Sequence, residues 1–106
     1  MSRTLVSVPK TAKAGDIVDI RAMIAHPMET GYRMGPNGQA IPRKIIRHFA
    51  CDYDGEEVFS AEFHPAMSAN PFVAFSTVAT KSGTLTFRWT DDDGKVETAS
   101  AEIAVS

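Results

Sequence analysis

The chain has 106 residues, of which 43% are apolar, and its 11 Lys and Arg nearly balance 13 Asp and Glu to give a net charge of −2. This length fits a single domain over residues 1–106 and leaves no room for a second. The charge balance and the scattered basic residues exclude the positive patch that binds nucleic acid. No apolar run exceeds about four residues, so we expect neither a membrane helix, which needs ~20, nor a secretory signal.

Alternation of apolar and polar residues predicts β-strands from the start of the chain. The first strand is Thr4 to Val8. The second begins at Asp16 and places its apolar residues on one face, which consists of Val18, Ile20, Ala22 and Ile24.

A hairpin follows in the middle of the chain. Ile45 to Tyr53 alternates in the same way, although Arg47 interrupts its apolar face. Asp54-Gly55 is a pair that favours the left-handed backbone of a tight hairpin turn, and it leads into a strand from Glu56 to Phe63.

The last third of the chain gives three more strands. Phe72 to Ala79 is rich in β-formers, Leu85 to Trp89 alternates most clearly of all, and Val96 to Val105 closes the chain. Asp91-Asp92-Asp93 lies in the polar turn before the last strand and is expected to be a solvated corner. Seven strands with regular turn signals predict an all-β fold, a seven-stranded β-sandwich.

Two connections break the regular spacing of the strands. His26 to Pro42 is longer than the ~4 to 6 residues that usually join strands, and Pro36-Asn37-Gly38 within it favours a turn. The segment from His64 to Pro71 has a proline near each end, Pro65 and Pro71, and is predicted to be an ordered, extended loop. Long connections often carry function, so both are candidate functional loops.

The cysteine chemistry that the sequence supports is limited. Cys51 is the only cysteine, and its nearest histidine in sequence is His48. Residues three apart in a strand point to opposite faces, so this pair does not provide a nucleophile and its base. Cys51 is expected to be a small buried apolar residue, and catalysis is not expected of this chain.

Metal binding is an alternative of a different class. His26, Cys51, His64 and Met67 are the residue types of a copper site in a redox β-sandwich. Their spacing does not match such a site, because copper sites of this class take most of their ligands from one short loop. No cofactor is therefore expected. The apolar residues near the irregular connections, among them Tyr32, Met34 and Phe63, favour a surface that packs against another chain.

Several short motifs resemble the SoxZ family, the Z subunits of the bacterial sulfur-oxidation (Sox) carrier complex. The most specific are His26-Pro27-Met28-Glu29-Thr30-Gly31-Tyr32-Arg33 and Ser68-Ala69-Asn70-Pro71, which occur in order in a chain of matching length. Shorter matches are Lys13-Ala14-Gly15-Asp16, Ile41-Pro42-Arg43, Phe59-Ser60-Ala61 and Gly83-Thr84-Leu85. The resemblance covers the chain from about Lys10 to its end.

The resemblance implies an immunoglobulin-like β-sandwich that forms the SoxYZ heterodimer with a Y subunit. In that family the Y subunit carries the sulfur intermediates of thiosulfate oxidation on a cysteine of its Gly-rich C-terminal arm. This chain ends Ala101 to Ser106 without such an arm, so the resemblance implies the scaffold half of the carrier. The expected partner contacts come from the two loops, namely His26, Pro27, Met28, Glu29, Thr30, Gly31, Tyr32, Arg33, His64, Pro65, Ser68, Asn70 and Pro71.

The resemblance also implies a place of action. The carrier works in the periplasm, where it makes transient contacts with other sulfur-oxidation enzymes, and a Z subunit without its own signal is expected to be exported with a signal-bearing Y partner. An oxidising periplasm would permit an intermolecular disulfide from Cys51 to that partner. A related alternative is a Z-like subunit of a dehydrogenase-associated carrier, in which the carried group differs.

Overall fold

Two β-sheets pack face to face to form the protein. The computed structural model describes residues 4–25, 28, 34–36, 38–39, 45–63 and 70–106. The strands are β1 (Thr4–Ser7), β2 (Thr11–Ala12), β3 (Ile17–Ile24), β4 (Ile46–Tyr53), β5 (Glu56–Glu62), β6 (Phe72–Val78), β7 (Gly83–Asp91) and β8 (Val96–Val105). The described part of the chain contains no helix that is long and apolar enough to cross a membrane.

Strand pairing defines a three-stranded and a five-stranded sheet. The first has the order β1-β3-β6 and is antiparallel throughout. The second has the order β2-β8-β7-β4-β5, in which only the short β2 runs parallel to its neighbour. The chain therefore passes from one sheet to the other between β1 and β2. This arrangement confirms the predicted immunoglobulin-like β-sandwich.

The core lies between the two sheets and is rich in aromatic rings. From β3 it receives the predicted face of Val18, Ile20, Ala22 and Ile24, and from β7 it receives Leu85, Phe87 and Trp89. Phe49 of β4 is fully buried, and its ring lies 5.3 Å from that of Trp89 and 6.3 Å from that of Phe75 on the opposite sheet. Phe59 and Phe75 stack at 4.4 Å and close the sandwich along the β5 and β6 side.

The hairpin prediction is confirmed, and the structure adds two features that alternation does not predict. Asp54 and Gly55 have φ values of 50° and 85°, as a tight turn of this type requires. The strand count rises from seven to eight because β2, only two residues long, pairs with the end of β8. The register of β4 against β7 shifts between Ile46 and His48, so the strand bulges at Arg47 and turns this side chain outward.

Candidate functional site

The two predicted functional loops leave the sandwich at the same end. The first follows β3, and the second ends where β6 begins. The backbone N–H of Ile24, the last residue of β3, donates a hydrogen bond to the carbonyl of Pro71 at 3.4 Å. Phe63, the residue before the second loop, donates from its backbone N–H to the carbonyl of Arg47 at 2.8 Å. We call this end, which includes Ile24, Phe63 and Pro71, the loop end.

Only part of the predicted interface falls on described residues. Asn70 is exposed and has a left-handed backbone with φ of 55°. Met28 and Pro71 are also described, and the other ten residues of that prediction lie outside the described residues, namely His26, Pro27, Glu29, Thr30, Gly31, Tyr32, Arg33, His64, Pro65 and Ser68. Their contact with a partner stays a prediction.

Met28 and Pro71 also belong to the predicted interface, and both are buried in the isolated chain, so a contact of their side chains with a partner stays a prediction. Met28 is 4% exposed and belongs to the core cluster, where its sulfur accepts a hydrogen bond from the backbone N–H of Ile46 at 3.3 Å. Pro71 is also buried. A methionine side chain is apolar and flexible, so Met28 can reach from the irregular connection into the core and fill space there. Both residues thus act as anchors of the loops.

The acidic turn between β7 and β8 also lies at the loop end. The backbone N–H of Asp92 donates to the carbonyl of Ile45 at 3.0 Å, and the N–H of Ile45 donates to the carboxylate of Asp92 at 3.2 Å. Asp91 is only 6% exposed, and its Oδ1 accepts hydrogen bonds from the backbone N–H groups of Asp93 and Lys95, both at 2.9 Å. The expectation of a solvated corner is therefore wrong for Asp91, whose carboxylate holds the turn together.

Replacing Asp91 by alanine should destabilise the protein by about 1 to 3 kcal/mol, because two backbone donors lose a charged acceptor. The midpoint of urea unfolding measures this effect. Asp93 is exposed in the same turn, so Asp93→Ala is the matched control and should change stability by less than about 0.5 kcal/mol. Equal effects of the two substitutions would contradict the role given to Asp91.

Cys51 lies on the inner face of β4 and is fully buried, as predicted. Its burial in the core, reinforced by the nearby charge of Asp52, raises the pKa of the thiol from its ordinary value of 9.0 to about 12. A thiol in this state is not a ready nucleophile, because nucleophilic attack needs an accessible thiolate. The burial also counts against a disulfide to a partner, because β4 would have to move away from the core before a partner's sulfur could reach that of Cys51. The disulfide stays a prediction.

The histidine on the same strand points the other way. His48 is partly exposed, and its Nδ1 lies 2.9 Å from Oε1 of Glu62 on the neighbouring strand β5. It therefore does not serve Cys51 as a base, as the strand geometry predicts. Within the described residues no three His, Cys, Asp or Glu side chains are grouped as a metal site would require. Three members of the alternative copper set, His26, His64 and Met67, lie outside the described residues.

The outer face of the five-stranded sheet contains an ion pair that the sequence analysis missed. Nη1 and Nη2 of Arg88 lie 2.5 and 3.3 Å from the two carboxylate oxygens of Asp52. The hydrogen bonds to Asp52 raise the pKa of the Arg88 guanidinium above its ordinary value. The two residues are 36 positions apart on β4 and β7, so only the strand register brings them together. No local pattern could have indicated the pair.

Comparison with solved structures shows the same fold in proteins of low sequence identity. A superoxide reductase (neelaredoxin) from Ignicoccus hospitalis matches with a TM-score of 0.77 and 21% identity, over 99% of this chain and 82% of that one. The sulfur carrier protein SoxY from Chlorobium limicola f thiosulfatophilum matches with a TM-score of 0.69 and 17% identity, over 97% of this chain and 78% of that one. These likenesses establish the fold alone.

Comparison with sequence families is more specific. No curated protein gives a significant match to the chain. The model of the family described as sulphur oxidation protein SoxZ matches residues 6–102, which include every strand from β2 to β7. Because this match spans nearly the whole sandwich, the chain belongs to the SoxZ family of Sox sulfur-oxidation proteins.

Proposed function

We propose that this protein is the non-catalytic scaffold subunit of a SoxYZ sulfur-carrier heterodimer in thiosulfate oxidation. It holds a Y-type subunit, and the cysteine at the end of that subunit's C-terminal arm carries the sulfur intermediates. Family membership supports the pathway, and the state of Cys51 supports the division of labour between the two subunits.

The burial of Cys51 is the observation that carries this proposal. A sulfur carrier must present a thiolate to the enzymes that load and unload it. The chain has one cysteine, its side chain is 0% exposed, and its pKa is raised to about 12. At neutral pH such a thiol stays protonated, because its pKa lies far above the pH. The reactive thiol of the carrier must therefore come from another chain.

The partner in this proposal is a second β-sandwich. The SoxY structure that resembles this chain has the same fold, which makes a complex of two similar sandwiches reasonable. The loop end brings the two candidate loops together through Ile24 and Pro71. Loops that converge on one end of a rigid sandwich can lie beside the root of a mobile arm and meet visiting enzymes. The contribution of this chain is thus to position the carrier arm.

The site of action that goes with this function is the periplasm. We propose that the chain is exported together with a signal-bearing Y subunit. Cell fractionation tests this directly, because the chain should reach the periplasm when Y has its signal and should stay inside the cell when the signal is deleted. Export of the chain without Y would contradict the proposed route.

Reconstitution with a Y subunit tests the function. The purified chain alone should not oxidise thiosulfate, whereas a mixture with Y should form a 1:1 complex and restore activity to the remaining Sox enzymes. Cys51→Ala in this chain should retain that activity, and replacement of the arm cysteine in Y should abolish it. Thiosulfate turnover by the chain alone, or loss of carrier activity in a folded Cys51→Ala variant, would overturn the proposal.

A further inference from the structure

The outer face of the three-stranded sheet carries most of the exposed large apolar side chains in the described part of the chain. Six large apolar side chains are exposed among the described residues, and four of them lie on this face: Leu5, Ile17, Phe72 and Val78, which are 65%, 75%, 56% and 48% exposed. The outer face of the five-stranded sheet instead carries hydroxyl and charged groups such as Arg88. A concentration of exposed apolar groups on one face indicates a binding surface.

The strand register sorts this face into three bands. At one end Leu5, Met23 and Phe72 lie side by side on β1, β3 and β6. At the other end Ile17 lies beside Val78. The two charged residues of the face, Asp19 and Arg21, lie between the apolar bands on β3. Along β3 the order of outward side chains is therefore apolar, acidic, basic, apolar.

This order is self-complementary under a two-fold rotation. Its centre is Ile20, which pairs with Phe75 on β6. Ile17 and Met23 lie at equal distances on either side of Ile20, and their partners Val78 and Phe72 lie at equal distances on either side of Phe75. A two-fold axis across the strands at this level would bring each apolar band of one copy against the opposite band of the other. An interface of this symmetry pairs residue i with j and j with i.

The same rotation forms two ion pairs. Asp19 of each copy comes to lie opposite Arg21 of the other, since the two residues are placed symmetrically about Ile20. Asp19 is held in place by a hydrogen bond from the Oγ of Ser76 at 3.0 Å, whereas Arg21 forms no ion pair with a described residue. A shallow depression of ≈ 180 Å³ lies at this level, lined by Asp19, Ile20, Arg21, Ala74, Phe75 and Ser76. It provides room for a side chain of the facing copy.

We propose that this face binds a second copy of the chain in a two-fold dimer, with the two sheets packed face to face. Three strands ~4.8 Å apart and seven residues of ~3.3 Å each give a face of roughly 330 Å². Stable complexes bury about 800 Å² on each partner, so the dimer is weak and dissociates on dilution. The proposal does not depend on the scaffold function, since it concerns the chain in the absence of Y.

Sedimentation equilibrium of the purified chain tests the dimer, over concentrations from about 1 μM to about 1 mM, the range of weak complexes. The average mass should rise from 11.5 kDa toward twice that value. Phe72→Glu should keep the chain monomeric. Val96→Glu is the matched control, because Val96 is 48% exposed, close to the 56% of Phe72, but lies on the other sheet, and this variant should dimerise as the wild type does.

A charge exchange tests the geometry. Asp19→Arg alone and Arg21→Asp alone each place like charges opposite each other twice, so each should weaken self-association by about tenfold or more. The double variant, and an equimolar mixture of the two single variants, restore opposite charges at both contacts and should recover association. If these two exposed residues affected only the stability of each chain, mixing the two single variants would not restore association.

Three results would overturn the proposal. The first is a wild-type chain that stays monomeric at every concentration. The second is a failure of the mixed charge variants to associate. The third is a wild-type chain that is monomeric alone but loses its binding to Y on the Phe72→Glu substitution, which would assign the face to that partner. The first two results leave open whether the chain supports carrier activity, which is measured with Y present, and the third would support the scaffold function while it removes the dimer.

Discussion

Phe49→Ala should lower the free energy of unfolding by about 3 to 5 kcal/mol, the largest loss we expect from a single substitution in the described residues. Phe49 is fully buried at the centre of an aromatic cluster, and its ring lies within 6.5 Å of five others, those of Phe59, Phe63, Phe75, Phe87 and Trp89. The rings of this cluster belong to both sheets and to the loop end, so each of them is held by its own strand or loop. Few of them can therefore move to fill the cavity that the substitution would leave. A domain of this size is stable by only ~5 to 15 kcal/mol.

Thermal and urea unfolding measure this loss. For about 100 residues each kcal/mol corresponds to ~4 to 8 °C in Tm, so we expect a fall of roughly 12 to 40 °C. Phe49→Leu keeps most of the volume and should cost much less. Phe72→Ala is the exposed control, since that ring is 56% exposed, and it should leave Tm nearly unchanged in dilute solution. Similar losses for Phe49→Ala and Phe72→Ala would contradict the central place of Phe49.

Features that depend on local periodicity could be predicted from the sequence. The apolar face of β3 is buried as its alternation indicates, and the Asp54-Gly55 pair forms the expected hairpin turn. These features need only near neighbours, because a strand exposes every second residue and a tight turn needs positive φ. The short strand β2 has no such signal: two residues define no period, and its partner β8 lies at the other end of the chain.

The candidate site was less accessible to sequence reasoning, because its residues are joined by register and not by local pattern. The meeting of Ile24 with Pro71 at the loop end follows only from the pairing of β3 with β6. Two signals were nevertheless present. Asp91 continues the inward series of Leu85, Phe87 and Trp89, which predicts that it is buried. The proposed dimer face also had a signal, because Ile17 and Met23 are apolar residues at outward positions of β3, where the alternation predicts polar residues.

Raising the pH above about 9 should destabilise the wild-type protein through Cys51. Burial raises the pKa of this thiol to about 12 in the folded state, against 9.0 in an exposed chain. The folded protein therefore keeps a proton that the unfolded chain releases, and the resulting stability is fully present below pH 9 and is lost as the pH rises toward 12. The loss amounts to about 1.4 kcal/mol for each pH unit within that interval.

Cys51→Ala isolates this effect, because every other group that titrates at high pH is present in both proteins. Near pH 8 the variant should be less stable than the wild type by about 1 kcal/mol, since it loses a small buried group. By pH 11 the wild type should have lost roughly 3 kcal/mol more than the variant, so their order of stability should reverse. Parallel pH profiles would show that the thiol is not protected. Reaction of Cys51 with a thiol reagent only in the unfolded protein would show independently that the folded protein shields this thiol. The same result would support the assignment of the reactive sulfur to another chain.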